Sequence, residues 1–187
     1  GAALAGFYLG HRETTDLDLF ADRAEDFDRG APVVRDAAAS LGAEVVVRQE
    51  APGFRRFVVS RGTDAVLVDL VWERVPPVHA EKRVIRGIRI DPIEEILVNK
   101  LTAAVSRAEE RDLVDLLKLE QAGYRVESAL AGALQKDGGC TPAALAWVLS
   151  QVAVPDGASL PAGVSPAELR AYLVDLQRRL LRASAPR

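Results

Sequence analysis

The sequence predicts an α+β protein: a mixed β-sheet with flanking helices over residues 1–91, then a helical C-terminal part over 92–187 packing on that core. Three observations carry this. Period-two or continuously apolar runs dominate residues 14–90, with Gly53 and Gly62 between them. At Asp91 the period changes to 3.6 and stays helical to the end. Helix-start signals of the Thr-Pro and Ser-Pro type recur only in the second half, at Thr141-Pro142 and Ser165-Pro166.

In chain order, Ala2 to Leu9 fits a short helix entered through a glycine turn, and segment 14–20 alternates as a strand with Leu17 and Leu19 on one face, Asp16 and Asp18 on the other. Residues 31–41 fit a helix with Pro32 near its start and Gly42 just past its end. Strands are expected at 43–49, 54–60 and 64–73, and a further single run at 83–90. Asp91-Pro92 reads as an N-cap followed by a first-turn proline, opening a helix over 92–106. Further helices are expected over 109–121, 126–136, 142–152 and 166–183, the last opened by a capping box from Ser165 to Glu168.

At 49 % apolar and 27 % charged, the chain has the composition of a soluble globular protein, and 187 residues bury a core without staples. The single cysteine, Cys140, excludes an intrachain disulfide framework. No apolar run approaches bilayer length and no signal-peptide pattern opens the chain, so the expectation is a cytoplasmic protein with no membrane partner. The net charge of −3 gives no global basic field for nucleic acid. Twenty arginines stand against four lysines, which makes each lysine worth placing. The absence of methionine implies that Gly1 is not a natural start.

Two like charges on one strand face repel unless something neutralises them. Asp16 and Asp18 are therefore either a solvated edge or a pair of carboxylates for a divalent cation such as Mg²⁺. A third acid discriminates. Asp69 is the only polar residue in the run Ala65–Trp72, where an unpaired carboxylate is costly. It is either part-exposed, salt-bridged to an arginine, or shares a metal with the strand at Asp16–Asp18. On the helix from Pro92, Lys100 falls within the apolar stripe of Ile93, Ile96, Leu97, Leu101 and Ala104. It either snorkels or presents a point charge to phosphate. Asp112 suits the first turn of its helix, and Arg107 and Arg111 fit surface pairs with Glu109 or Glu110.

As a set, these segments resemble the nucleotidyltransferase fold and, within it, the AbiEii/AbiGii-type abortive-infection toxin family. The matching pieces, in order, are Gly1-Ala2-Ala3-Leu4, His11-Arg12 through Asp16-Leu17-Asp18-Leu19-Phe20, Asp69 on an apolar strand, Asn99-Lys100-Leu101, Arg107, and Arg111-Asp112-Leu113-Val114-Asp115-Leu116. The resemblance covers about residues 1–120. It implies an NTP-dependent, pyrophosphate-releasing transferase acting on a tRNA or protein acceptor, with a cognate antitoxin in a toxin–antitoxin or phage-defence pair. It assigns Asp16, Asp18 and Asp69 to Mg²⁺ (or Mn²⁺). It assigns Gly1, Arg12, Lys100, Arg111 and Asp112 to the nucleotide, and counts Lys100 with the three acids as catalytic. Ala2 departs from the hydroxyl residue frequent in the family's loop, and the chain begins inside that loop. A catalytically silent binding module and a small-molecule nucleotidyltransferase are the competing expectations.

Overall fold

The computed structural model describes residues 1–185, so the last two residues of the helical part expected over 92–187 lie outside it. The chain divides into two compact units: Gly1–Gly6 with Glu13–Pro76, and Phe7–Arg12 with Pro77–Arg187. A short π-type helix, Leu4–Leu9, takes the place of the expected N-terminal helix.

The first unit holds β1 (Asp16–Ala21), α1 (Ala24–Ser40), β2 (Glu44–Ala51), β3 (Phe54–Arg61) and β4 (Asp64–Trp72) in a sheet of order β1-β4-β3-β2. β1 runs parallel to β4, while β4–β3 and β3–β2 are antiparallel. The parallel pair sets Leu17 beside Val68, Asp18 beside Asp69 and Leu19 beside Leu70. Side chains alternate along a strand, so one face of this register is apolar and the other carries the acids. On the apolar face Ala21, Phe57, Val68 and Leu70 form one buried cluster with Phe27, Ala31 and Val34 of α1. Gly30 marks the closest approach of helix to sheet: a Cβ there would fall 2.4 Å from Leu70 Cδ2.

α1 begins at Ala24, well before the expected start, and Pro32 lies inside it. Phe27, Ala31, Val34 and Ala38 recur at helical spacing and are all buried, and Glu25 and Asp26 favour the first turn. That stripe outweighs the one backbone hydrogen bond a mid-helix proline removes.

The second unit holds β5 (Arg83–Ile85), β6 (Ile88–Ile90), α2 (Ile93–Ser106), α3 (Glu110–Gln121), α4 (Val126–Lys136), α5 (Pro142–Ser150) and α6 (Pro166–Ala183). The run expected as one strand over 83–90 is a hairpin, with β5 antiparallel to β6. Arg86 and Gly87 both take positive φ, 52° and 80°, as a primed two-residue turn requires. Asp91 does not cap α2: Pro92 holds the cap position without a side-chain bond, and the Asp91 carboxylate pairs with Lys82. Thr141 and Ser165 do cap, accepting from the Ala144 and Glu168 amides at 3.1 Å each. The reciprocal half of the box is diverted, because Glu168 Oε1 accepts from Gln121 Nε2 at 3.0 Å.

Buried polar contacts tie these helices together. Lys136 Nζ on α4 reaches Glu95 Oε1 at 2.8 Å and Asn99 Oδ1 at 2.6 Å, both on α2. Arg179 on α6 pairs with Glu120 and Glu127. Among the described residues, no helix is long and apolar enough to cross a membrane. The close approach at Gly30 yields a test: Gly30→Val should lower the unfolding free energy by about 1–3 kcal/mol in urea titration. Gly6→Ala, where a Cβ meets nothing within 4 Å, should stay close to the parent.

Candidate active site

The charged residues singled out by the sequence fall into two groups, one in each unit. In the first unit, strand alternation puts Asp16 and Asp18 on one face of β1, and the parallel register puts Asp69 beside Asp18. Thr14 Oγ1 donates to Asp16 Oδ1 at 2.7 Å, which aims that carboxylate. A Cβ on Gly1 would fall 3.3 Å from Asp18 Oδ2 and 3.5 Å from Asp16 Oδ1. Both carboxylates therefore face one spot, and glycine's missing side chain keeps it open.

Asp69 is buried and engaged by an arginine, one of the alternatives its sequence environment left open. Arg56, its register partner on β3, donates through Nε to Oδ1 at 2.8 Å and through Nη2 to Oδ2 at 2.6 Å. The bond to Asp69, and next the charge of Asp69, raise the Arg56 pKa, with Asp18 and Asp16 adding to the effect. Among the described residues, no three acids, histidines or cysteines stand together as an ion's ligands, since Asp69 is turned to Arg56. The donor chemistry nonetheless suits a hard divalent cation. Two carboxylates converge beside a bare glycine, and a guanidinium already stands as cation on the third.

The second unit buries its group. Lys100 on α2 projects from the apolar stripe, and its Nζ lies 2.6 Å from both Asp112 Oδ1 and Asp115 Oδ2 on α3. Asp115 also receives Arg12 through Nε at 2.8 Å and Nη2 at 2.9 Å, and His11 Nε2 lies 2.8 Å from its Oδ1. Arg107 Nε reaches Asp112 Oδ2 at 3.0 Å. Burial alone would push both carboxyls up. For Asp115 the bond from Arg12 and the charge of Lys100 outweigh it, and for Asp112 the charge and bond of Lys100 do, followed by Arg107. Both acids are held below the ordinary aspartate range.

Arg111 stands in a partly exposed pair with Glu109 at 2.8 Å, the surface pairing its spacing allowed. Asp112 has more than a helix-dipole role, since it is buried beneath Lys100. Sequence reasoning missed Arg56, His11 and Asp115 as members of these groups. The available signal for Asp115 was Lys100 itself: a lysine in an apolar stripe needs counter-ions, and Asp115 lies one turn beyond Asp112.

A family model described as the nucleotidyl transferase AbiEii toxin of type IV toxin–antitoxin systems matches residues 1–186, extending through the C-terminal helices. No curated protein and no solved structure matches the chain.

The buried group predicts a pH dependence with a definite sign. Asp115 is depressed in the folded state, so its contribution is fully present above the unfolded value and is lost as pH falls through the folded one. Asp115→Asn should cost about 3–5 kcal/mol at pH 7, because Lys100 and Arg12 lose a shared buried partner. Its unfolding free energy should also fall less steeply than the parent's below about pH 4. Urea titrations at pH 7 and at pH 3 check both.

Proposed function

The chain belongs to the AbiEii family of nucleotidyl transferase toxins of type IV toxin–antitoxin systems, and we propose that it moves a nucleotidyl group from an NTP to a hydroxyl of a tRNA or a protein, using Mg²⁺ (or Mn²⁺). The observation that carries this reading is the acid face of β1 and β4, with Asp16 and Asp18 directed at one spot beside Gly1 and Asp69 next to Asp18. In this reading Asp16 and Asp18 hold the cation, and Asp69 joins them once Arg56 has let go. When bound, the cation neutralises triphosphate charge and steadies the departing pyrophosphate. An acceptor oxygen forms the new bond to the α-phosphorus while the bond to pyrophosphate breaks, and Asp69 helps draw the proton from the acceptor hydroxyl.

The remaining roles follow from the chemistry of each group. Gly1, lacking a side chain, lets the backbone approach phosphate. Lys100 has three ammonium donors, of which Asp112 and Asp115 take two, so one serves a phosphate oxygen. Asp112 and Arg12 hold that ammonium and its partners in place, and Arg111 contributes charge to the nucleotide from α3. NTP is the substrate, a cognate antitoxin is the partner that the family description implies, and the cytoplasm is the compartment.

The test is label transfer. The protein is incubated with Mg²⁺, each α-labelled NTP in turn, and total RNA, with the protein fraction counted as well. The parent should label RNA or protein, and Asp18→Asn should lower the rate by about a hundredfold or more while remaining folded. Lys100→Arg, which keeps a charge against Asp112 and Asp115, should lower it less. NTP binding without any transfer by the parent would replace this reading with a silent binding module.

A further inference from the structure

The ion pair on the acid face has a consequence for how a cation enters. Arg56 and Asp69 are direct partners across β3 and β4, and the guanidinium fork takes both carboxylate oxygens. A divalent cation that uses Asp69 must take at least one of the same oxygens. Two positive charges drawn to one carboxylate repel each other, so the two cations compete.

The surroundings say which of them is able to leave. The Asp69 side chain is 11 % exposed and that of Arg56 is 40 % exposed, so the carboxylate is fixed in the sheet and the guanidinium is on its open side. Its neighbour Arg55 is committed elsewhere, 4.6 Å over the Phe27 ring and 2.8 Å from Glu50. While it holds Asp69, the Arg56 guanidinium also lies 5.6 Å from the Phe54 ring centre, so an aromatic face flanks it on the same strand. Without a cation, Asp18 and Asp69 would stand as like charges directly opposite on neighbouring strands, which destabilises the pair.

We propose that Arg56 is the resident counter-ion of the acid face, neutralising Asp69 in the metal-free protein and being exchanged for the divalent cation when the site loads. Arg56 is thus a positioning residue for the metal, not a ligand to it. It keeps the face folded while no cation is present and weakens binding of a free cation. This rests on the metal site of the proposed function.

The test uses the full chain, Mn²⁺ as the probe and no nucleotide, and compares the parent with Arg56→Gln, Arg56→Lys and Asp18→Asn. Titration calorimetry should show Arg56→Gln binding Mn²⁺ about tenfold or more tighter than the parent, the scale set by losing a close charge pair. Arg56→Lys, which keeps the charge but not the fork, should gain less, and it carries the test if Arg56→Gln does not fold. Thermal melting gives the second readout. Arg56→Gln should melt below the parent without Mn²⁺ and recover more than the parent when Mn²⁺ is added. Unchanged or weaker Mn²⁺ binding by Arg56→Gln, with Asp18→Asn still abolishing it, overturns the role of Arg56 and keeps the metal site. Mn²⁺ binding by no form of the protein, or undiminished binding by Asp18→Asn, removes the metal site itself.

Discussion

The parallel pairing of β1 with β4 places Asp18 against Asp69 and leaves Asp16 two residues along the same face. Three carboxylates so arranged repel one another, and the sheet forms only if something else holds the strands and something positive answers the acids. The first need is met on the opposite face. Phe57, Val68 and Leu70 close against α1, and Gly30 brings the helix in close enough to cover them. A parallel pair requires a long crossover, and α1, β2 and β3 supply it. The second need is met by Arg56, which the antiparallel β3–β4 register delivers to Asp69. One face is thus held by apolar packing while the other keeps its charges.

The second unit meets the same electrostatic problem and solves it differently. Lys100 and Arg12, buried, and Arg107, half exposed, answer Asp112 and Asp115, with the two acids almost wholly excluded from water. Burial penalises the two carboxylates, and the charges and hydrogen bonds of their basic partners offset it. Such a group does not exchange partners easily. On the sheet, by contrast, Arg56 is partly exposed and rests on a flexible stem. The contrast is between a charge group enclosed among helices and one on the open side of a sheet.

Much of this was legible in the sequence, for identifiable reasons. Strand alternation exposed Asp16 and Asp18, and an acid within an apolar run marked Asp69. A lysine within an apolar helix stripe marked Lys100. What escaped was set by pairing or by wider burial. Arg55 and Arg56 are adjacent, so only the β3–β4 register decides which of them meets Asp69. Asp115 escaped because a stripe argument assumes one covered face. On α3, Asp112 through Leu117 and Leu119 are all buried, and that assumption fails. The turn at Arg86-Gly87 hid inside a short strand-like run, since a primed turn needs only two residues. Pro32 suggested a helix start because proline is most common there, whereas the stripe from Phe27 decided the outcome.

The most direct measurement of the central claim is a crystal structure of the full chain grown with Mn²⁺ and a non-hydrolysable NTP, with the ion located by anomalous scattering. The expected result is an ion coordinated by Asp16 and Asp18 beside Gly1, bridging to the triphosphate, with Arg56 withdrawn from Asp69. An ion bound elsewhere, or a triphosphate held away from these acids with the Arg56–Asp69 pair intact, would contradict it.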